Sequence, residues 1–249
     1  WVVSFDLNSL YPHLIMQYNI SPETIVDMTN QSTSVDSMLD EMFDTDFLKT
    51  ENQTLTPNGA LFTRKKHGFL PELLFKMYNE RKVEKKKMLQ AQQEYENTKN
   101  PELLKKISRH GNKQMALKIA LNSAYGAIGN QYFRFYDIRI AEAVTYGGQL
   151  SIRWIEKSLN KHLNGLLQTD NVDYVLASDT DSVYITFDTL IERLNPKDPV
   201  KFLDTICTEK LEPFIDGEYQ RLAEYVNAYE QKMFMKREVI ADKGIWTAK

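Results

Sequence analysis

Residues 172–187 read VDYVLASDTDSVYITF, two β-rich runs flanking the acidic centre Ser178-Asp179-Thr180-Asp181-Ser182. Val, Tyr, Ile and Thr favour strands, whereas Asp, Thr and Ser favour turns, so the stretch predicts a hairpin with Asp179 and Asp181 at its tip. In an extended chain residues i and i+2 face one side about 7 Å apart, which would present both carboxylates together at a sheet edge. A second apolar run, WVVSF at residues 1–5, reads as a buried strand that ends on Asp6. Carboxylates at the ends of buried strands are poorly solvated, and two like charges ~4 Å apart repel by about 4 kcal/mol at an effective dielectric near 20. A divalent cation would remove that penalty, and hard ions prefer carboxylate oxygens. For Asp179 to Ser182 taken alone, ordinary hairpin-turn chemistry is the competing reading.

Outward from these strands, SLYPHLIMQYN (residues 9–19) reads as a turn running into a short helix, and residues 27–53 as a polar, acidic surface insertion without periodicity. Pro57-Asn58-Gly59 marks a tight turn that makes ALFTR (60–64) one arm of a hairpin. From Pro71 to Asn97 apolar residues recur at helical spacing, at Leu73, Leu74, Met77, Tyr78 and Met88. Asn100-Pro101-Glu102 restarts a helix, with Asn as cap, Pro in the first turn and Glu at the positive end of the dipole. This second helix is predicted to reach Ala124, giving an antiparallel helical hairpin. Further helices are predicted over Ile140–Asn164, ended by Gly165, and over Val200–Asn227. KMFMKREVIA and GIWTAK then read as strands around Asp242-Lys243-Gly244. Interleaved strands and helices predict an α+β fold, an antiparallel sheet with packed helices interrupted by the helical hairpin.

Composition narrows the function classes. In 249 residues, 31 Lys+Arg stand against 34 Asp+Glu, 42% of residues are hydrophobic and 26% charged, which excludes a disordered or collagen-like chain. No apolar run approaches 18 residues and no charged-then-apolar leader is present, so neither a membrane span nor a signal peptide is expected. Cys207 is the only cysteine, which excludes an internal disulfide and favours an intracellular setting. The chain opens on Trp1 within a strand and closes just past another, which predicts a piece of a longer polypeptide. The charge is segregated: residues 1–63 carry one base and nine acids, residues 64–118 fifteen bases and six acids. The basic block coincides with the hairpin and reads either as a solvated helical face or as a site for phosphates or a nucleic-acid backbone.

Arg81 and Lys85 are four apart on the first hairpin helix, and Lys118, Asn122 and Tyr125 continue one stripe on the second. Antiparallel helices can bring Arg81, Lys85 and Lys118 around one anionic group, and three fixed cations suit a triphosphate. Lys82, Lys86 and Lys87 read as solvated neighbours. Tyr11, just before Pro12, is either a core aromatic or a floor beneath a nucleotide sugar that would exclude a 2′-hydroxyl.

Taken together, DLNSLYP (6–12), KIALNSAYG (118–126) and SDTDS (178–182) resemble motifs A, B and C of family B DNA polymerases, in that order. ISPETI (20–25), ERKVEKKKM (80–88), GNQYFRFYDIRIAEAVT (129–145) and MFMKREVIADKGIWTAK (233–249) extend the likeness over nearly the whole chain, most of all to T-even-type bacteriophage replicative polymerases. The resemblance implies a palm over residues 1–70 and 126–249, interrupted by fingers over 71–125, with thumb, exonuclease and amino-terminal domains outside this chain. It implies template-directed addition of deoxynucleotides from dNTPs to a primer 3′-hydroxyl by two-metal nucleotidyl transfer.

By matched position, Asp6 and Asp181 would be the main ligands of two magnesium ions, replaceable by manganese, with the Leu7 carbonyl on one metal and Asp179 close by. Arg81, Lys85, Lys118 and Asn122 would hold the triphosphate with the Ser9 and Leu10 amides, and Tyr11 would gate the sugar. Tyr125 and Gly126 would line the nascent base pair, and Thr180, Glu238 and Lys249 would lie along template and primer. The implied partners are primer–template DNA, dNTPs, the remaining thumb and exonuclease portions, a sliding clamp and a single-strand-binding protein, in the cytoplasm of a bacterial host. Three departures stand out: a shorter fingers segment, Lys236 where relatives carry an acid, and a primer-side motif that stops at Lys249. The rival readings are a metal-dependent nuclease, which needs no triphosphate-binding helix pair, and a non-catalytic DNA- or nucleotide-binding fragment.

Overall fold

In the computed structural model, which describes residues 1–246, strands from distant parts of the chain meet in one antiparallel sheet. Its order is β5 (Val175–Ser178), β6 (Ser182–Thr186), β1 (Val2–Leu7) and β7 (Met235–Ala241). The first strand is central because it is apolar and alternates: Val3, Phe5 and Leu7 are buried on the core face, while Ser4 and Asp6 point to the other. A smaller antiparallel sheet has the order β2 (Ile25–Met28), β4 (Ala60–Thr63), β3 (Gln53–Leu55). The α+β class holds.

Helix α1 (Leu10–Gln17) leaves β1 through Ser9, whose φ of 53° makes the sharp strand-to-helix turn. It packs on α6 (Ile138–Leu167), the long amphipathic helix of the core, where Gly147 and Gly148 permit close approach. A Cβ at Gly148 would stand 3.4 Å from Leu10 and 3.7 Å from Tyr11, so this glycine sets how deep α1 and its tyrosine sit. Asp137 caps α6 by accepting from the Arg139 amide at 3.0 Å. The helix continues past Gly165 to Leu167, because Gln168 at φ 51° takes the left-handed cap in place of the glycine.

The hairpin consists of α4 (Phe69–Thr98) and α5 (Glu102–Ile128), antiparallel, with α5 running four residues beyond Ala124. The less exposed residues of α4 include 74, 77, 81, 84, 88, 91 and 95, and those of α5 include 103, 107, 110, 114, 117, 121, 124 and 128. This alternation of threes and fours is the seam of a two-stranded coiled coil. Its middle is polar, where Glu84 meets His110 and Lys113, and its ends are apolar.

Three expectations are corrected. Residues 27–53 are not a surface insertion: they form α2 (Val35–Leu39) and α3 (Asp46–Glu51), and Val35, Met38, Leu39, Phe43 and Leu48 enter the core. Helices of five and six residues are too short to show a period, and the flanking acids mask their apolar positions. The predicted Val200–Asn227 helix is α8 (Pro199–Ile206) and α9 (Glu212–Tyr225) joined by a π-helical turn at Cys207–Leu211, and α7 (Asp188–Leu194) precedes it. Leu203, Cys207, Leu211, Ile215 and Tyr219 are all buried at a spacing of four, which a wider turn keeps on one face. Finally, no second strand follows β7 among the described residues; Trp246 instead meets Tyr184 edge-on at 5.7 Å, and Lys249 lies outside the described residues. No helix among the described residues is long and apolar enough to cross a membrane.

Candidate active site

Where β1 ends, the Leu7 amide donates to the Asp181 carbonyl at 2.8 Å and the Asn8 amide to the Phe234 carbonyl at 3.3 Å. These bonds tie the DTD turn and the start of β7 to the strand that carries Asp6. A cavity of about 590 Å³ opens there between sheet, α1 and the base of the hairpin. Its lining includes Asp6, Leu7, Ser9, Leu10, Tyr11, Arg81, Lys118, Asn122, Tyr125, Gly126, Thr180 and Asp181, all candidates by sequence, joined by Pro12. Residues more than 170 positions apart thus share one wall.

The acidic side is electrostatically tense. The Asp6 carboxyl is pushed up to about 6, first by burial and then by the charges of Asp181 and Glu238. Glu238 reaches this neighbourhood through a β-bulge: Ser4 pairs with Val239 and Phe5 with Arg237, leaving Glu238 as the extra residue of β7. Lys236 does not neutralise the site, since its ammonium pairs with Glu212 of α9 at 2.7 Å. Among the described residues no three His, Cys, Asp or Glu side chains converge at metal-ligand spacing. Asp6 and Asp181, with Glu238 nearby but outside ligand spacing, do fit a hard cation that keeps waters and takes its remaining oxygens from a phosphate ligand.

The opposite wall is cationic and aromatic. Arg81 and Lys118 enter from α4 and α5, and the Arg81 Nε is buried without a hydrogen-bond partner. Tyr11 and Tyr125 form a tilted ring pair with centroids 4.6 Å apart, and burial, then Tyr125 and Asp181, raise the Tyr11 phenol above its usual range. A Cβ at Gly126 would meet nothing within 4 Å, so packing inside the chain does not require a glycine there.

Of the remaining candidates, Glu238 stands near Asp6 without lining the cavity, Lys249 lies outside the described residues, and Lys85 and Asp179 lie elsewhere. Lys85 borders a separate apolar groove with Val83 and Leu89, because the seam passes through 81 and 84 and turns position 85 off it. Asp179 does not line the cavity; its Oδ1 accepts from the Thr180 amide at 2.8 Å and its own amide donates to the Ser182 carbonyl, so residues 179–181 form a turn rather than extended strand. Sequence reasoning missed His13, buried under Tyr11's helix with Nδ1 2.9 Å from the Ser9 carbonyl and its ring edge-on to Tyr78. It also missed Glu84, buried on the seam and bonded to His110; the three-four spacing of the hairpin was the signal that would have found it. A larger cavity, about 720 Å³ between α6 and α9, includes Lys157, paired with Asp40, and Arg221, paired with Glu41 and Glu218.

The family model described as DNA polymerase family B matches residues 1–195. Over its whole length the chain is 34% identical to the "DNA-directed DNA polymerase" of Escherichia phage RB69 and 32% identical to that of Enterobacteria phage T4. In each case it aligns with 33% of the relative, so the chain spans about a third of the length of these phage proteins. It is also 30% identical, over 74% of its length, to 10% of the "DNA polymerase alpha catalytic subunit" of Mus musculus. The match contains all three segments whose residues meet in the cavity, and the chain belongs to DNA polymerase family B.

Proposed function

We propose that this chain is the palm and fingers of a DNA polymerase and carries the centre at which a deoxynucleotide is joined to a primer 3′-hydroxyl under the direction of a template. In the reaction the primer 3′-hydroxyl gives up its proton to solvent, its oxygen bonds to the α-phosphorus, the bond to the α–β bridging oxygen breaks, and pyrophosphate leaves. The observation that carries the reading is the meeting of Asp6 and Asp181 with Arg81, Lys118, Asn122 and the Tyr11–Tyr125 pair around one cavity.

Asp6 and Asp181, with the Leu7 carbonyl and Asp179 nearby, would hold two divalent cations, magnesium or in its place manganese. When bound, such ions activate the attacking hydroxyl and stabilise the leaving phosphates. The protein contributes position and charge. Arg81 and Lys118 bind the triphosphate, Asn122 supports them, and the Ser9 and Leu10 amides, at a helix start with no intrahelical acceptor, face phosphate oxygens. Tyr11 closes the space under the sugar and selects against a 2′-hydroxyl by exclusion. Movement of the hairpin toward the palm adds Lys85 and ties catalysis to a fitting base pair. Primer–template DNA is the partner, with Thr180, Gly126 and Glu238 along its path; thumb and exonuclease portions, a clamp and a single-strand-binding protein belong to the larger assembly.

The test is Asp181→Asn assayed by primer extension with magnesium, with the thumb portion supplied in trans or in cis. Extension should fall by at least a thousandfold while thermal unfolding stays cooperative. Retained activity would remove Asp181 from the metal site, and loss of an existing DNA strand in place of extension would favour a nuclease.

A further inference from the structure

Arg81 has an acidic neighbour one turn along its own helix, and Arg and Glu at i and i+3 on a helix ordinarily pair. Here Glu84 does not take Arg81. Among the described residues Arg81 makes no ion pair, and its Nε is buried and unpartnered at the wall of the nucleotide cavity. Glu84 is only 6% exposed, and its carboxylate is occupied from elsewhere. His110 Nδ1 donates to its Oε2 at 2.6 Å, and the ammonium groups of Lys113 and Lys87 stand 3.4 and 3.6 Å from its Oε1. Lys113 also binds Glu80 at 2.7 Å, which cancels the repulsion between Glu80 and Glu84 at i and i+4.

We propose that His110 and Lys113 are positioning residues for the nucleotide site: from α5 they hold Glu84 away from Arg81, leaving the guanidinium free for the phosphates of a nucleoside triphosphate. The proposal rests on the reading of Arg81 as a phosphate ligand. Its physical basis is that a carboxylate covered from water by its neighbours is held by charged or hydrogen-bonding partners. Without His110 and Lys113, Glu84 is left with the half-exposed Lys87 on one side and Arg81 on the other, and Glu80 repels it. Arg81, on the seam beside it, then becomes the ligand that satisfies the buried charge. An arginine paired in this way has fewer donors and less net charge to offer a triphosphate.

The experiment uses the full 249-residue chain, the variant His110→Leu/Lys113→Met, and the same variant with Glu84→Gln added. Affinity for magnesium dGTP is measured by titration calorimetry, and the Arg81 side-chain Nε–H signal by ¹⁵N NMR without nucleotide. The paired variant should bind dGTP roughly three- to tenfold more weakly, a change of about 0.6 to 1.4 kcal/mol. Adding Glu84→Gln should restore affinity to within about twofold of the parent, because the competing charge is gone although the packing is not repaired. The Arg81 signal should move in the paired variant and return in the triple one. An unmoved Arg81 signal, or a loss of affinity that Glu84→Gln does not restore, overturns the proposal whatever the parent affinity is. Arg81→Ala separates the two readings. Unchanged dGTP affinity in that variant removes Arg81 from the phosphate site and the role of His110 and Lys113 with it. A loss in Arg81→Ala with none in the paired variant overturns the positioning role alone.

Discussion

At the end of β1, Asp6 holds a proton more tightly than a free carboxyl, at about 6 against an ordinary 3.8, because burial, Asp181 and Glu238 all oppose its charge. A folded value above the unfolded one favours folding when the group is protonated, so this stability is complete below about pH 4 and is lost as pH rises through 6. Asp6→Asn should therefore stabilise the metal-free chain at pH 7 by about 1 kcal/mol, after allowing for solvent screening of a partly exposed group, and change little at pH 4. Thermal unfolding in chelator at the two pH values checks this; equal shifts at both would disprove the electrostatic origin. Gly126 makes a second case. Its missing Cβ leaves open space inside a long helix, so Gly126→Ala should raise stability by about 0.5–1 kcal/mol through helix propensity. The same methyl group stands in the cavity, and extension activity should fall at least tenfold. A variant that is stabilised and fully active would show that nothing approaches that face. The residue types were legible in sequence, since Asp6, Lys118 and Asn122 announce themselves by motif. That Asp179 serves the turn while Asp181 faces the cavity was not, because the two differ only in the backbone conformation between them.

The α4–α5 hairpin is the element on which the cationic wall depends, and its polar middle makes it acid-sensitive. Glu84 is held well below the usual carboxylate range, to about 2, first by the hydrogen bond from His110 and then by the lysine charges. A depressed folded value contributes stability above the unfolded 4.5 that is lost as pH falls toward 2. Protection of the α4 and α5 amides against hydrogen exchange, taken relative to the intrinsic rate at each pH, should fall between pH 4.5 and 2.5 in the parent and stay flatter in Glu84→Gln. Identical profiles would mean that Glu84 contributes no stability to the pair. Both helices were legible because each runs at least 27 residues and repeats its apolar positions many times. The short α2 and α3 and the π turn at Cys207–Leu211 were not. One and a half turns carry no period, and a spacing of four reads equally as an ordinary helix until burial shows that all of its members face one way.

Across the whole molecule, fifteen of the 31 basic residues fall in residues 64–118, which cover most of the hairpin, against a body that is otherwise acidic. Contacts to a nucleic-acid backbone release counterions, so binding of this chain to primer–template DNA should weaken steeply with salt and barely depend on sequence. Raising salt from 50 to 200 mM should cost at least tenfold in affinity if even two or three phosphates are engaged. Fluorescence anisotropy with two unrelated duplexes measures both properties. A flat salt profile would place the basic block in protein contacts rather than on DNA.

Local pattern alone determined the long helices, the strand character of residues 1–6 and 172–187, the segregation of charge and the kinship with a polymerase family, because each is written in neighbouring residues. Only the tertiary structure decided which groups share the cavity. Convergence of β1, the DTD turn and the base of the hairpin depends on strand order and on the close approach of α1 to Gly148. The bulge that re-aims Glu238, the turn of Lys85 out of the seam and the capture of Glu84 by His110 arise the same way. They are set by contacts between residues far apart in the chain, and a neighbour across space leaves no mark on the spacing along it.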